Sequence, residues 1–490
     1  MLLITPSRRI PTASNSMRYQ STEELAKELT RLHLVTESQL ADVFHHTAIT
    51  SDPETLIKAL EDSHLLTAYQ AKAMRSDERL PLLLGNVKLM YQNASGSFAR
   101  VFRGCCVDNN EMVGVKVLRQ RYADDPTAVA HFRREADLCI KLRHRNIVPI
   151  YEVQEFEGFY FFTMEFVEGG NLKDFLAIRG KLSPAETFRF GIDMAEGLSY
   201  ALSQGMTHRD FKMTNVLMSS TGVAKLVDFG LAGDEGAGSD NSVHAVEYAT
   251  LEKNTGAPRN DPRSDIFFLG GVLYELISGV PPYAPTSSYE ERKRFSRYTG
   301  IRPLRQVNPG LPPKACDVID RMLRSNPHER YANYQTLLTD LRAGLSQFGG
   351  DTKTNSVAKI ASDTISTVLC VENRTQHQDM LREYLTKHNY RVLMLSTWQR
   401  ALERLKSNPP DCVVVMGDAF PSGASTVYDE AVRWSHAKNV ACVLVVPTKD
   451  RAAIEDLSPN GSVRGIKHPV KLRDVREAIT AALEARNQRQ

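Results

Sequence analysis

A multidomain protein is predicted, with a small all-α bundle first, an α+β block in the middle and an α/β doubly wound block last. Three observations carry this reading. The chain has 490 residues, against roughly 150 for one folding unit. Four helix-start signatures crowd into residues 21–70. Beyond residue 366, apolar runs alternate with helical stretches, the pattern of a parallel sheet covered on both faces.

Composition bounds the function. With 42% hydrophobic and 24% charged residues, most of the chain should fold. Lys plus Arg total 61 against 58 for Asp plus Glu, a formal charge of +3. No bulk field therefore favours nucleic acid or an anionic membrane, and neither partner is expected. The 7 cysteines are odd in number and show no C-x-x-C spacing, which argues for plain thiols in a reducing cytosol. No basic segment precedes an apolar one at the N-terminus, and no apolar run approaches the ~18 residues of a membrane span, so a cytoplasmic protein is expected.

Residues 1–20 are polar and aperiodic and read as a disordered arm. A helical module over 21–80 follows, announced by the capping boxes Ser21/Glu24, Thr36/Gln39, Ser51/Glu54 and Thr67/Gln70, each of which satisfies amides left open at a helix start. The stretch from His33 to Gln39 recurs from His64 to Gln70, as in a duplicated helix pair. The mixed block spans 83–346, and a polar linker at 347–366 separates it from the last block at 367–487. In that last block, Val368 to Val371, Val392 to Leu395, Cys412 to Met416 and Cys442 to Val446 read as buried strands.

The strongest chemical signal lies in the middle. His208-Arg209-Asp210-Phe211-Lys212-Met213-Thr214-Asn215 precedes a strand at Val223 to Val227 and then Asp228-Phe229-Gly230. This H-R-D-x-x-x-x-N and D-F-G pair resembles the protein kinase superfamily, and specifically the bacterial relatives of eukaryotic serine/threonine kinases. The resemblance covers about Leu83 to Leu345. It implies a bilobal fold and a reaction in which placed charge outweighs covalent chemistry. Asp210 would accept or orient the substrate hydroxyl proton, Lys212 would stabilise the γ-phosphate of ATP, and Asn215 with Asp228 would hold Mg2+. Lys116, in Val113-Gly114-Val115-Lys116, would reach the α- and β-phosphates with Glu135 as its ion-pair partner. Met164 would be the gatekeeper, with the backbone of Glu165 to Val167 facing adenine and Leu217 completing the nucleotide site. The resemblance also pairs Glu252 with Arg330 and makes Asp265 the anchor of the catalytic loop.

The sequence departs from the family in two places. Aligning Phe98 and Val101 with the glycine-rich loop puts Ala94, Gly96 and Ala99 at the three glycine positions. The two extra methyl groups predict a stiffer loop and weaker ATP binding. In the activation segment, Ala245 stands where the family has a threonine, and Ala249-Thr250-Leu251-Glu252 replaces the usual ending. Arg209 is the residue type that pairs with an activation-loop phosphate, for which Ser239 and Ser242 are candidates.

The C-terminal block resembles a flavodoxin-like response-regulator receiver domain with its chemistry degraded. The acidic pair is Glu372-Asn373, Met416 falls at the phosphoacceptor position and His468 at the conserved-lysine position, with Asp418 and Lys467 as shifted substitutes. A thioether cannot accept phosphate, so protein contact is the expected role. The sequence thus points to a cytoplasmic ATP- and Mg2+-dependent serine/threonine kinase acting on protein substrates, itself among them. Partner proteins are expected for the two flanking modules. The alternative is a pseudokinase scaffold, and a phosphorelay through Asp418 is a third reading.

Overall fold

The computed structural model describes residues 19–46, 49, 51–63, 65–76, 80–219, 222–229, 243–258, 260–286, 288–348, 366–388, 390–407, 409–417, 424–447, 461–467 and 469–488. The expected arm at 1–20 and linker at 347–366 lie almost wholly outside these residues, as do Ser239, Ser242, Asp418 and His468. Two compact units emerge, one from residues 1–120 with 155–161, the other from residues 121–154 with 162–490.

In the first unit, helices Thr22–Arg31, Glu37–His46, Pro53–Asp62 and Ala68–Arg75 close over a core in which Leu25, Leu29, Leu56, Ile57, Leu60 and Met74 are fully shielded. The Thr36/Gln39 and Thr67/Gln70 boxes are reciprocal, with backbone amide and side chain exchanged at 2.9–3.2 Å. Ser21 accepts from the Glu24 amide, whereas Glu24 reaches back one residue further, to the Gln20 amide. The third box is corrected. Asp52, not Ser51, caps Pro53–Asp62, accepting from the Glu54 amide at 3.0 Å. Proline at the first helical position fixes the start there and makes the residue before it the cap.

Four antiparallel strands follow in this unit, Leu83–Leu84, Val87–Ser95, Ala99–Cys106 and Met112–Leu118. Leu89, Phe102, Val115 and Phe161 form a second core beneath them. Gly104 is required in this sheet, because a Cβ there would sit 2.5 Å from a Val87 methyl carbon. The helices and the sheet are joined by hydrogen bonds. The register slips between Leu89 and Tyr91. The carbonyls at that irregularity are taken by the helix cap, Gln70 Nε2 donating to Leu89 O at 3.0 Å and Thr67 Oγ1 to Met90 O at 2.7 Å. Tyr69, between them, packs its ring 5.4 Å from that of Phe102.

In the second unit, the long helix Pro184–Ser203 starts with the reciprocal Ser183/Glu186 box and Pro262–Ser278 with Asp261 before proline. The latter stops at Gly279, which takes φ +79°, a left-handed turn open to glycine at little cost. Almost the whole of Pro262–Ser278 is buried, so it serves as the spine on which the segment from His208 onward is hung.

The C-terminal part of this unit is a five-stranded parallel sheet. Its order is Arg391–Leu395, Thr367–Val371, Cys412–Met416, Ala441–Val446, Val463–Lys467. Side chains alternate between two cores. Val368, Cys370, Val414 and Val443 face one, and Leu369, Val371, Val413 and Leu444 the other, as a two-residue period demands of a sheet covered on both faces. The fifth strand carries Arg464 and Lys467 and lies at the sheet edge, where charge is tolerated. All 7 cysteines are free, and all but Cys106 are buried. Among the described residues, no helix is long and apolar enough to cross a membrane.

Candidate active site

The segment from His208 to Asn215 has no regular structure until the short turn Met213–Asn215, so something else must fix it. That something is Asp265. Its carboxylate, 1% exposed, accepts from the His208 amide at 2.8 Å, the Arg209 amide at 3.1 Å and the Tyr248 hydroxyl at 2.7 Å. Charged acceptors make the strong hydrogen bonds, and three donors on one carboxylate hold the loop at its root. The Tyr248 oxygen in turn accepts from the Phe211 amide at 3.3 Å. Burial pushes the Tyr248 hydroxyl well above its ordinary pKa, with Asp265 adding to the shift, so it stays a donor.

Asp210 is the focus of the loop. Lys212 Nζ lies 3.0 and 2.9 Å from its two carboxylate oxygens, and Asn215 Nδ2 donates to Asp210 Oδ2 and to its carbonyl, both at 2.9 Å. The carboxylate is therefore held in one orientation, with its side chain 26% exposed. The same bonds orient Asn215. With its NH2 spent on Asp210, the amide presents Oδ1 as its free-standing acceptor.

Phe229 is 2% exposed and packs its ring 4.6 Å from that of His208. Asp228 and Arg209 adopt φ +55° and +58°, left-handed conformations that cost a non-glycine residue roughly 1–3 kcal/mol and gather at functional sites. Burial pulls the His208 imidazole below its ordinary pKa despite nearby Asp265, Asp210 and Asp228. A neutral ring suits its place between Phe211 and Phe229.

A pocket opens among Glu135, Met164, Leu226, Asp228 and Phe229. Glu135 comes from helix Pro126–Cys139, and Met164 and Glu165 from the end of strand Phe159–Glu165. Glu165 is tied by its amide to Pro149 O at 3.1 Å and by its carboxylate to Lys225 Nζ at 2.6 Å. Val167 is buried. Close by, the chain passes so near Met218 that a Cβ on Gly169 would meet its carbonyl oxygen at 2.1 Å, and Gly170 O accepts from the Met218 amide at 2.8 Å. Leu217, half-buried in strand Val216–Met218, bridges to Asn171.

In the first unit, Lys116 is half-buried in strand Met112–Leu118 and stands in register with Val101. Ala94, paired with Val101, and Ala99 belong to the two strands flanking the turn at Gly96 to Phe98. The Gly96 amide donates to Ala99 O at 3.0 Å, which makes the turn tight. Arg119 grips it from below, its amide on Phe98 O and its guanidinium on Gly96 O and Ser95 Oγ at 2.8 Å. Sequence reasoning missed Arg119, Lys225 and Ser264. Only Arg119 carried a signal, lying three residues beyond Lys116 on the strand's run-out.

One expectation about charge pairing is overturned. Glu252 does not pair with Arg330. It lies 3.8 Å from Arg209 and accepts from Ser264 Oγ at 3.1 Å. Arg330 instead donates to the carbonyls of Arg324, Arg263 and Ser325 at 2.6–2.9 Å and lies over the Phe267 ring. Three convergent carbonyls satisfy its fork without an anion. Arg209 is thus already engaged by a buried carboxylate, though its Nη1 makes no hydrogen bond.

The C-terminal acidic position is also occupied. Glu372, fully buried, takes Arg374 Nη2 at 2.8 Å and His377 Nδ1 at 3.4 Å. Burial works to raise its pKa, but the hydrogen bonds from His377 and Arg374 outweigh this and hold it below the usual range.

Comparison with known proteins agrees with this geometry. The sequence profile described as protein kinase domain matches residues 93–341, about half of the chain. The chain is 30% identical over 265 residues to the probable serine/threonine-protein kinase PknB of Lactococcus lactis, covering 53% of this chain and 42% of that protein. It is 32% identical over 254 residues to serine/threonine-protein kinase PknL of Mycobacterium tuberculosis, covering 51% and 63%. It is 30% identical over 265 residues to serine/threonine-protein kinase PrkC of Bacillus subtilis, covering 53% and 40%. The chain thus spans between 40% and 63% of the length of these three relatives. With the profile match falling on the segment that carries the Asp210 cluster, the chain belongs to the protein kinase domain family.

Proposed function

We propose that this protein is a serine/threonine protein kinase that transfers the γ-phosphate of ATP to protein hydroxyls in bacterial cytoplasmic signalling. The observation that carries this reading is the Asp210 carboxylate, gripped by Lys212 and Asn215 and partly exposed. In this proposal Asp210 receives the proton of the attacking hydroxyl. Lys212 bridges from that carboxylate toward the transferred phosphoryl group, where a fixed positive charge lowers the barrier.

The donor set fits magnesium. Asn215 Oδ1 and the Asp228 carboxylate are hard oxygens, and magnesium characteristically takes one or two protein oxygens and completes its shell with phosphate and water. When bound, the ion would neutralise charge on the phosphates. Lys116 and Glu135 would position the nucleotide, Ala94, Gly96, Phe98 and Val101 would cover it, and Glu165, Val167 and Leu217 would enclose the base.

A scaffold reading is favoured by one observation, the Arg119 grip on a loop that already carries Ala94 and Ala99. The deciding experiment is incorporation of labelled γ-phosphate by the purified protein with Mg-ATP, alongside Asp210→Asn and Lys116→Met. Label lost in both variants supports catalysis. No label in the wild type, on itself or on a generic protein substrate, overturns it in favour of the scaffold. For the C-terminal domain we propose a receiver-like fold without phosphoacceptor chemistry, because Met416 occupies the acceptor position and Glu372 is spent on Arg374 and His377. The N-terminal helices are proposed as an interaction module.

A further inference from the structure

The C-terminal domain touches the segment that follows the proposed adenine-binding backbone. Arg382, in helix Thr375–Lys387, donates from Nη1 to the Glu168 carbonyl at 2.8 Å. Arg400, in helix Trp398–Ser407, places Nη2 2.7 Å from the carboxylate of the same residue. Arg391, at the start of strand Arg391–Leu395, lays its guanidinium 4.5 Å over the ring of Phe175 in helix Leu172–Arg179. Three arginines from three elements thus converge, and only the folded domain brings them together. Both targets are buried, Glu168 to 9% and Phe175 to 5% exposure. Burial brings the Arg391 guanidinium down to about 10, with neighbouring Arg179 adding to the effect.

Glu168 immediately follows Val167, so its backbone is continuous with the groups proposed to face adenine. Gly169 and Gly170, next in line, make this stretch conformationally permissive. A ligand that needs an ordered segment binds more tightly when something else has already ordered it, and the coupling is reciprocal.

We propose that the C-terminal domain is an internal clamp on Glu168 and helix Leu172–Arg179, and that its docking raises the affinity of the neighbouring site for nucleotide. The docking half stands on the contacts alone, and the coupling half rests on the kinase reading.

The test uses the full chain, as wild type and as Arg382→Ala/Arg400→Glu. Hydrogen–deuterium exchange is read over residues 166–176, and affinity is read with a fluorescent N-methylanthraniloyl derivative of ATP and Mg2+. The double variant is expected to exchange faster across that peptide and to bind the probe at least about fivefold more weakly. Adding Glu168→Arg to Arg400→Glu is expected to restore protection, since charge reversal rebuilds the pair. Unchanged exchange in the double variant overturns the clamp. Faster exchange with unchanged probe affinity upholds docking and overturns coupling. If the wild type binds no probe, coupling falls together with the kinase reading, while the exchange arm still reports on docking.

Discussion

Replacing Asp265 by Asn tests whether the loop from His208 to Asn215 is held from its root. The carboxylate accepts three hydrogen bonds at 2.7–3.1 Å and is 1% exposed, so water cannot substitute. Asparagine keeps one accepting oxygen and turns an NH2 toward a donor. At least one charge-assisted bond is lost and one buried amide is orphaned, effects of about 1.5–3 and 1–3 kcal/mol. Allowing for relaxation, the expected cost is about 3 kcal/mol. At tenfold per 1.4 kcal/mol, exchange of the His208 and Arg209 amides should accelerate roughly a hundredfold. The melting temperature should fall by about 6–12 °C. Tyr248→Phe removes a single hydroxyl from the same cluster and should cost about 1–2 kcal/mol. Native-state hydrogen exchange and thermal unfolding read both variants. Asp265→Asn with unchanged amide exchange, or Tyr248→Phe more damaging than Asp265→Asn, would refute the argument.

Three further outcomes are expected. Gly169→Ala should destabilise the protein by about 1–3 kcal/mol, because the new methyl meets Met218 O at 2.1 Å; a melting temperature equal to wild type would contradict this close approach. His208 has a depressed folded-state pKa through burial, so its contribution to stability is complete above its unfolded value of about 6.5 and is lost as pH falls through the folded one. The melting temperature should therefore drop between pH 7 and 5, and His208→Leu should flatten that limb. Gln70→Leu leaves Leu89 O without its donor and should cost about 1–3 kcal/mol, visible as faster proteolysis of the segment 21–80; unchanged cleavage would show the contact to be idle.

Local rules were legible in the sequence and long-range pairings were not. The capping boxes at Thr36 and Thr67 are written into four residues each, and the alternating cores of the C-terminal sheet follow from runs such as Val368 to Val371. Ser51 failed as a cap because Pro53 one step later moved the helix start to Asp52. The motif around Asp210 named its residues by spacing, but the ring of donors on Asp265 includes Tyr248, whose hydroxyl reaches it across 17 positions. Arg330 shows the limit most clearly. The family resemblance paired it with Glu252, and its surroundings offered three carbonyls instead. The strand Val463–Lys467 escaped notice because an edge strand with Arg464 and Lys467 shows little of the apolar run that marked its neighbours.

The seam at Leu89 and Met90 bears on how such a protein can be cut and recombined. The family profile begins at residue 93, inside strand Val87–Ser95, while the partners of that strand's two irregular carbonyls lie at Thr67 and Gln70. A gene fusion or excision made at the profile's edge would split that strand and leave residues 87–92, with the helices that hold their carbonyls, on the other side of the cut. A viable shuffle would have to carry the preceding helices along, so the heritable module is longer than the stretch by which the family is recognised.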